Sequence, residues 1–284
     1  MKRKFFFMGI FILMIMTVFS CTSFVYDGDV KVRGMNFDFY DNPEILLNFL
    51  ADGSENAFYM AFYGYAVTFG INESGVFCTL QALSQYKQKE YEGQTMSFAE
   101  AFLHCIMDYN DVGEFQDFLL QQKLSIPPMM YVHMLCADTH SNAFITEIGE
   151  KGTEITQKPE DRDILAMTNF RAYQFDIYDG YKKVYGPGAD RYKRTYDYLL
   201  KKPEISTYEE AFQVLKVSKT SDTEFSAVFF PEEKVAYITF DGDFNRVWKL
   251  ELETKILTTE KGFDNQSTYD FEKGGINKSD LIKW

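Results

Sequence analysis

Histidine is nearly missing from this chain, with three in 284 residues. A histidine-based catalytic centre or zinc site would have to draw on His104, His133 and His140. His133, Cys136 and His140 fall in or beside an alternating apolar stretch, where successive side chains face opposite ways. Their spacing fits no zinc pattern, so the reading expects no metal and no organic cofactor. No phosphate-cradling glycine loop, Gly-x-Ser-x-Gly elbow or zincin helix is present either. Asp241-Gly242-Asp243-Phe244-Asn245 begins like a calcium loop, but Arg246 and Leu252 stand where glycine and glutamate belong. A hairpin turn accounts for it. Basic residues are outnumbered, 29 against 42 acids, for a net charge of −13. A surface this acidic repels phosphate backbones, which excludes nucleic acid as a partner. There are only 7 prolines and no Ser/Gly-rich tract, so nothing marks a linker or a second domain.

What is present begins at the amino terminus. Lys2, Arg3 and Lys4 precede an almost unbroken apolar run from Phe5 to Val18. That run is shorter than the roughly 20 residues a membrane span needs. Val18 and Ser20 are small enough for the −3 and −1 positions of a signal-peptidase site. Residues 1–20 thus read as a signal peptide and 21–284 as one exported domain. Removing the leader takes away three bases and no acid, making the product more acidic still.

Turn and cap chemistry organises the rest. Thr22–Tyr26 and Val30–Phe37 read as strands joined at Asp27-Gly28-Asp29, and Ala57–Tyr63, Tyr65–Gly70 and Val76–Leu83 as a second strand block. Ser97-Phe98-Ala99-Glu100 predicts a capped helix over Ala101–Tyr109, and Asp111 with Glu114 a second over Phe115–Lys123. Strands follow at Met129–Asp138, Ala143–Ile148 and Ile164–Thr168. Helices are expected at Arg191–Lys201 and Tyr208–Lys216, then strands at Phe225–Phe230, Val235–Phe240 and Val247–Leu252. Strands bracketing grouped helices, without strict alternation, point to α+β architecture: two antiparallel sheets sandwiched between helical layers.

Of the four cysteines, Cys78, Cys105 and Cys136 lie in apolar strand or helix patterns and read as buried free thiols. Cys21 is different, because it directly follows the leader. Cleavage there would leave one residue carrying both a thiol and a free α-amine. The amine, with an ordinary pKa of about 7.7–8.0, can take a proton from a thiol of about 8.5 and later return it to a leaving group. Such a residue needs no histidine.

Cys21-Thr22-Ser23, followed by Gly34-Met35-Asn36-Phe37-Asp38-Phe39, resembles the opening of the choloylglycine hydrolase superfamily of N-terminal-nucleophile (Ntn) hydrolases. That group includes bile-salt hydrolases, penicillin V acylases and an isopenicillin-N acyltransferase-like branch. Gly70–Val76, Gln81-Ala82-Leu83, Met167-Thr168-Asn169-Phe170, Arg191–Arg194 and Phe225–Phe240 resemble further family elements in the same order. The resemblance implies a four-layer αββα sandwich. It makes Cys21 the nucleophile and acid–base, Asp38 its orienting carboxylate, and Asn169 an oxyanion donor. Gln81 would stand at the second oxyanion and substrate position, and Arg191 would brace Asn169 or the nucleophile. Met35 stands where the bile-salt and penicillin V branch carries arginine, and Gln81 where asparagine is usual. Both departures point to the acyltransferase-like branch.

The implied activity is hydrolysis of a linear, non-peptide C–N bond in a small N-acylated amine or amino acid, through an acyl-enzyme on Cys21. The rival reading is a lipoprotein. Val18-Phe19-Ser20-Cys21 also reads as a poor lipobox, and lipidation of Cys21 would tether a non-catalytic binding or structural module to a membrane. A homo-oligomer is compatible with either.

Overall fold

The computed structural model describes residues 20–50, 53–83, 94–125, 131–150, 152–201 and 204–283. The leader read over 1–20 therefore lies outside the described residues except for Ser20, as do residues 129 and 130 of the expected strand Met129–Asp138.

The strands through the first half are β1 (Thr22–Asp27), β2 (Lys31–Asp38), β3 (Ile45–Leu50), β4 (Ala57–Phe62), β5 (Ala66–Asn72), β6 (Phe77–Leu83), β7 (Gln94–Ser97), β8 (Gln122–Ser125) and β9 (Tyr131–Ala137). They continue as β10 (Ala143–Ile148), β11 (Thr153–Gln157), β12 (Ile164–Met167), β13 (Thr223–Phe230), β14 (Val235–Phe240), β15 (Val247–Glu251), β16 (Ile256–Lys261), β17 (Thr268–Asp270) and β18 (Ile276–Asn277). The α-helices are α1 (Phe98–Asp108), α2 (Val112–Leu119), α3 (Ala189–Lys201), α4 (Tyr208–Lys216) and α5 (Lys278–Leu281).

Among the described residues two eight-stranded sheets form, ordered β12-β1-β2-β13-β14-β15-β16-β17 and β11-β10-β9-β6-β5-β4-β3-β18. Every pairing within them is antiparallel. Alternation along the strands decides which side chains meet. In β6, Phe77 faces the space between the sheets while Cys78 and Leu80 face the helices. Across the inter-sheet space Phe69 meets Phe225 at 5.4 Å and Phe37 meets Phe62 at 4.9 Å between ring centroids. Rings buried this way contribute roughly 1.5–3 kcal/mol each.

The helices form the outer layers. In α1 the buried residues Phe98, Ala101, Phe102, Cys105 and Ile106 follow helical spacing and lie on β5, β6 and β9. Gly70 permits that approach, since a Cβ there would stand 2.7 Å from Phe102 Cζ and 2.8 Å from Ile106 Cδ1. On the opposite side α3 packs on β1 and β12, and α4 on β2 and β13. The fold is the α+β sandwich, with both sheets between helices.

Several boundaries differ from expectation for local reasons. The Ser97–Glu100 capping box forms, with Glu100 N donating to Ser97 Oγ at 3.1 Å and Ser97 N to Glu100 Oε2 at 2.6 Å. The helix therefore starts directly after its cap, at Phe98, three residues before the expected Ala101. The second helix stops at Leu119, because Gln122–Ser125 pairs in parallel with Gln94–Ser97. Ile45–Leu50 is a strand that no pattern in the sequence marks. Its apolar run has no alternation, and only its pairing with β4 and β18 selects the extended form.

Candidate active site

Cys21 immediately precedes β1 and is buried. The register Thr22↔Asn36 and Thr223↔Asp38 brings the ends of β1, β2 and β13 together, so Cys21 and Asp38 share one edge of the first sheet. Asn169 lies two residues beyond β12, which pairs with β1 on the other side. Arg191 occupies the first turn of α3, on the same buried stripe as Tyr192, Thr195, Tyr196 and Leu199. A buried guanidinium in an apolar stripe needs partners, and it has them.

Arg191 Nη1 donates to the Cys21 carbonyl at 2.7 Å and to Thr22 Oγ1 at 3.0 Å, and also to the Ser20 carbonyl. Its Nη2 donates to Asn169 Oδ1 at 2.7 Å. Because a guanidinium only donates, this contact fixes which end of the Asn169 amide is oxygen. The Asn169 Nδ2 then donates one hydrogen to the Ala82 carbonyl at 2.8 Å, and its second hydrogen is left for another acceptor. Gly188, at φ +75°, makes room for this arrangement. A Cβ there would sit 2.7 Å from Arg191 Nη2 and 2.9 Å from Thr168 Oγ1.

Asp38 is fully buried. Its Oδ1 accepts from Thr223 Oγ1 at 2.6 Å, Arg191 Nη1 stands 3.8 Å from its Oδ2, and Oδ2 has no hydrogen-bond donor among the described residues. Burial pushes the Asp38 carboxyl up to about 6, against the pull of Thr223 and Arg191. Burial, and then the Asp38 charge, push the Cys21 thiol up to about 12, while the Asp38 backbone N–H and Arg191 act the other way. With residue 21 still peptide-linked to Ser20, the thiol is protonated at neutral pH.

The raised Asp38 value has a stability consequence. The folded value of about 6 exceeds the ordinary 3.8, so the proton is held more tightly in the folded state. The stability this provides is complete below pH 3.8 and is lost as pH rises through 6. It amounts to about 3 kcal/mol. In a chain retaining Ser20 ahead of Cys21, Asp38→Asn is therefore expected to stabilise by about 2–3 kcal/mol at pH 7 and little at pH 4. Urea unfolding at the two pH values checks this, and an equal effect at both would contradict it.

Gln81 comes from the other sheet. Its Nε2 donates to Ser23 Oγ at 2.6 Å, and Ser23 Oγ lies 3.0 Å from Thr79 Oγ1, so the side chain ties the sheets together behind Cys21. The site residues named from the sequence thus converge: Cys21, Asp38, Asn169 and Arg191 in one bonded cluster, with Gln81 behind it. Sequence reading missed Thr223 and the Ala82 carbonyl, because neither sits in a pattern that marks chemistry. Beside the thiol opens an apolar cleft of about 240 Å³, lined by Cys21, Phe37, Phe62, Leu80, Gln81 and Val132 among others, with no charged side chain among the described residues that line it.

The fold is shared with solved structures. A mutant conjugated bile acid hydrolase from Clostridium perfringens superposes with a TM-score of 0.62 at 14% identity, covering 88% of this chain and 96% of that one. Penicillin V acylase from Agrobacterium tumefaciens gives a TM-score of 0.62 at 14% identity, covering 84% and 90%. No protein-family model matches the sequence, and no curated protein matches it. At this identity the likeness speaks for architecture, and it is unambiguous: the chain has the αββα fold of the Ntn hydrolases.

Proposed function

We propose that this protein is an exported amidohydrolase whose nucleophile is Cys21, freed at its α-amine by loss of residues 1–20. It hydrolyses the linear C–N bond of a small N-acylated amine or amino acid. The observation that carries the reading is the buried Asp38 Oδ2 beside residue 21, which has no hydrogen-bond donor among the described residues. An α-ammonium created at Cys21 would supply that donor and lower both neighbouring pKa values.

The steps use groups already in place. The α-amine takes the thiol proton, and the thiolate attacks the substrate carbonyl in the apolar cleft. The oxyanion is received by the second hydrogen of Asn169 Nδ2. In an antiparallel strand the N–H and C=O of one residue point to the same edge. The Ala82 carbonyl faces Asn169, so the Ala82 N–H faces that edge too and is the second donor. Gln81 acts through its strand position, with its side chain committed to Ser23. The C–N bond then breaks as the amine leaves with the proton from the α-ammonium. Water, deprotonated by the same amine, hydrolyses the thioester.

Asn169→Ala is expected to lower kcat by about 10²–10³ with little change in KM. A rise in KM alone, measured by steady-state kinetics, would contradict the oxyanion role.

The cleft selects an apolar acyl group. Across a series of straight-chain N-acyl amides, kcat/KM is expected to rise about fourfold per methylene until the cleft is full, from about 0.8 kcal/mol per CH₂ buried. A flat series, or no turnover of any member, would overturn the reading. The burial of Cys21 between β1 and the cleft supports a free thiol over a lipidated one. A diacylglyceryl thioether does not fit a cavity of about 240 Å³ alongside an intact core.

A further inference from the structure

Three of the four cysteines meet at one point far along the chain from Cys21. Cys78 of β6 and Cys136 of β9 are direct cross-strand partners, and their sulfurs are 3.6 Å apart. Cys105 descends from α1 onto the same spot, 3.6 Å from the Cys136 sulfur. All three sulfurs lie within 4.8 Å of one another, all are free thiols, and all are completely buried.

We propose that Cys78, Cys105 and Cys136 form a three-coordinate thiolate site for a soft, closed-shell cation of the copper(I) type. Three sulfurs about 2.3 Å from a central ion stand about 4.0 Å apart in a trigonal plane, which matches the triangle here within a few tenths of an ångström on two edges. Thiolates select such soft cations. Among the described residues no imidazole or carboxylate joins the three sulfurs, so the fourth ligand zinc requires is not supplied. A disulfide between Cys78 and Cys136 would need only two of these residues. The third, delivered by a different element, is what a metal centre uses.

Burial pushes the Cys78 and Cys136 thiols well above their ordinary range. At Cys105 burial acts the same way, but hydrogen bonding with the other two thiols lowers its value. A bound cation is what favours ionisation of thiols buried this deeply. On binding, each S–H bond that breaks gives its electron pair to an S–Cu bond and its proton to solvent, with no change in oxidation state. The site has no exposed surface, so loading occurs as the chain folds.

The test uses full-length Cys21→Ala protein, refolded without oxygen in the presence of copper(I) as its acetonitrile complex. Native mass spectrometry after gel filtration is expected to show one copper per chain, with an ultraviolet thiolate-to-copper band. Adding Cys105→Ala should reduce retained copper at least tenfold. If that variant does not fold, Cys105→Ser provides the same comparison, since a hydroxyl is a poor ligand for copper(I). Folded protein without copper, zinc retained in preference to copper, or a Cys78–Cys136 disulfide under these conditions would each overturn the assignment.

Discussion

Cys21→Ala is expected to fold with both sheets intact and to lose turnover by at least about 10⁴-fold. The two halves of that result have separate causes. Structurally, residue 21 contributes its carbonyl to Arg191 and its backbone to the start of β1. Alanine keeps both. Only the sulfur is lost, from a cleft wall, and the cost in stability is small compared with a core truncation. Chemically, no neighbouring hydroxyl among the described residues is free to substitute. Ser23 Oγ is engaged by Gln81 and Thr79, and Thr22 Oγ1 by Arg191. Circular dichroism with an acyl-release assay checks both halves. Turnover near that of the unmodified protein would exclude Cys21 as nucleophile.

The second large effect concerns a single peptide bond. A chain in which residue 21 stays joined to one preceding residue, whether Ser20 or a retained methionine, is expected to be inactive. Trimming that residue with an aminopeptidase should restore full rate. With the thiol at about 12 in the joined form, about one molecule in 10⁵ carries a thiolate at pH 7, and an amide nitrogen offers no base to change this. Freeing the amine places a positive charge beside Asp38 Oδ2 and gives the thiol proton somewhere to go. Selective acetylation of the freed amine should return the protein to the inactive state. Equal activity of the joined and trimmed chains would remove the α-amine from the mechanism.

Much of this was legible from residue types and spacing. Alternating strands and capping boxes gave the layered fold. The segment Cys21–Ser23 with Asp38, Asn169 and Arg191 matched an ordered set of elements, and all four site residues meet in one cluster. The parts that stayed hidden depend on partners distant in sequence. Ile45–Leu50 becomes a strand only because β4 and β18 flank it, and Gln122–Ser125 only because β7 lies beside it. Arg191 reads as an ordinary helix-start cation until α3 packs and turns it onto the carbonyl of Cys21. Thr223 completes Asp38 from a strand 185 positions away. The three-cysteine cluster is illegible for the same reason: its members are spread from Cys78 to Cys136 in no metal-binding spacing, and only the β6–β9 register and the landing of α1 bring them together.

The most direct test is the mass of the amino-terminal peptide isolated from active, exported protein, read together with the mass of the same peptide trapped during turnover. The account predicts a peptide beginning at Cys21 with an unmodified amine, which gains the acyl group of the substrate on its sulfur when the reaction is quenched. An active protein whose Cys21 bears lipid, or is still linked to Ser20, would contradict it.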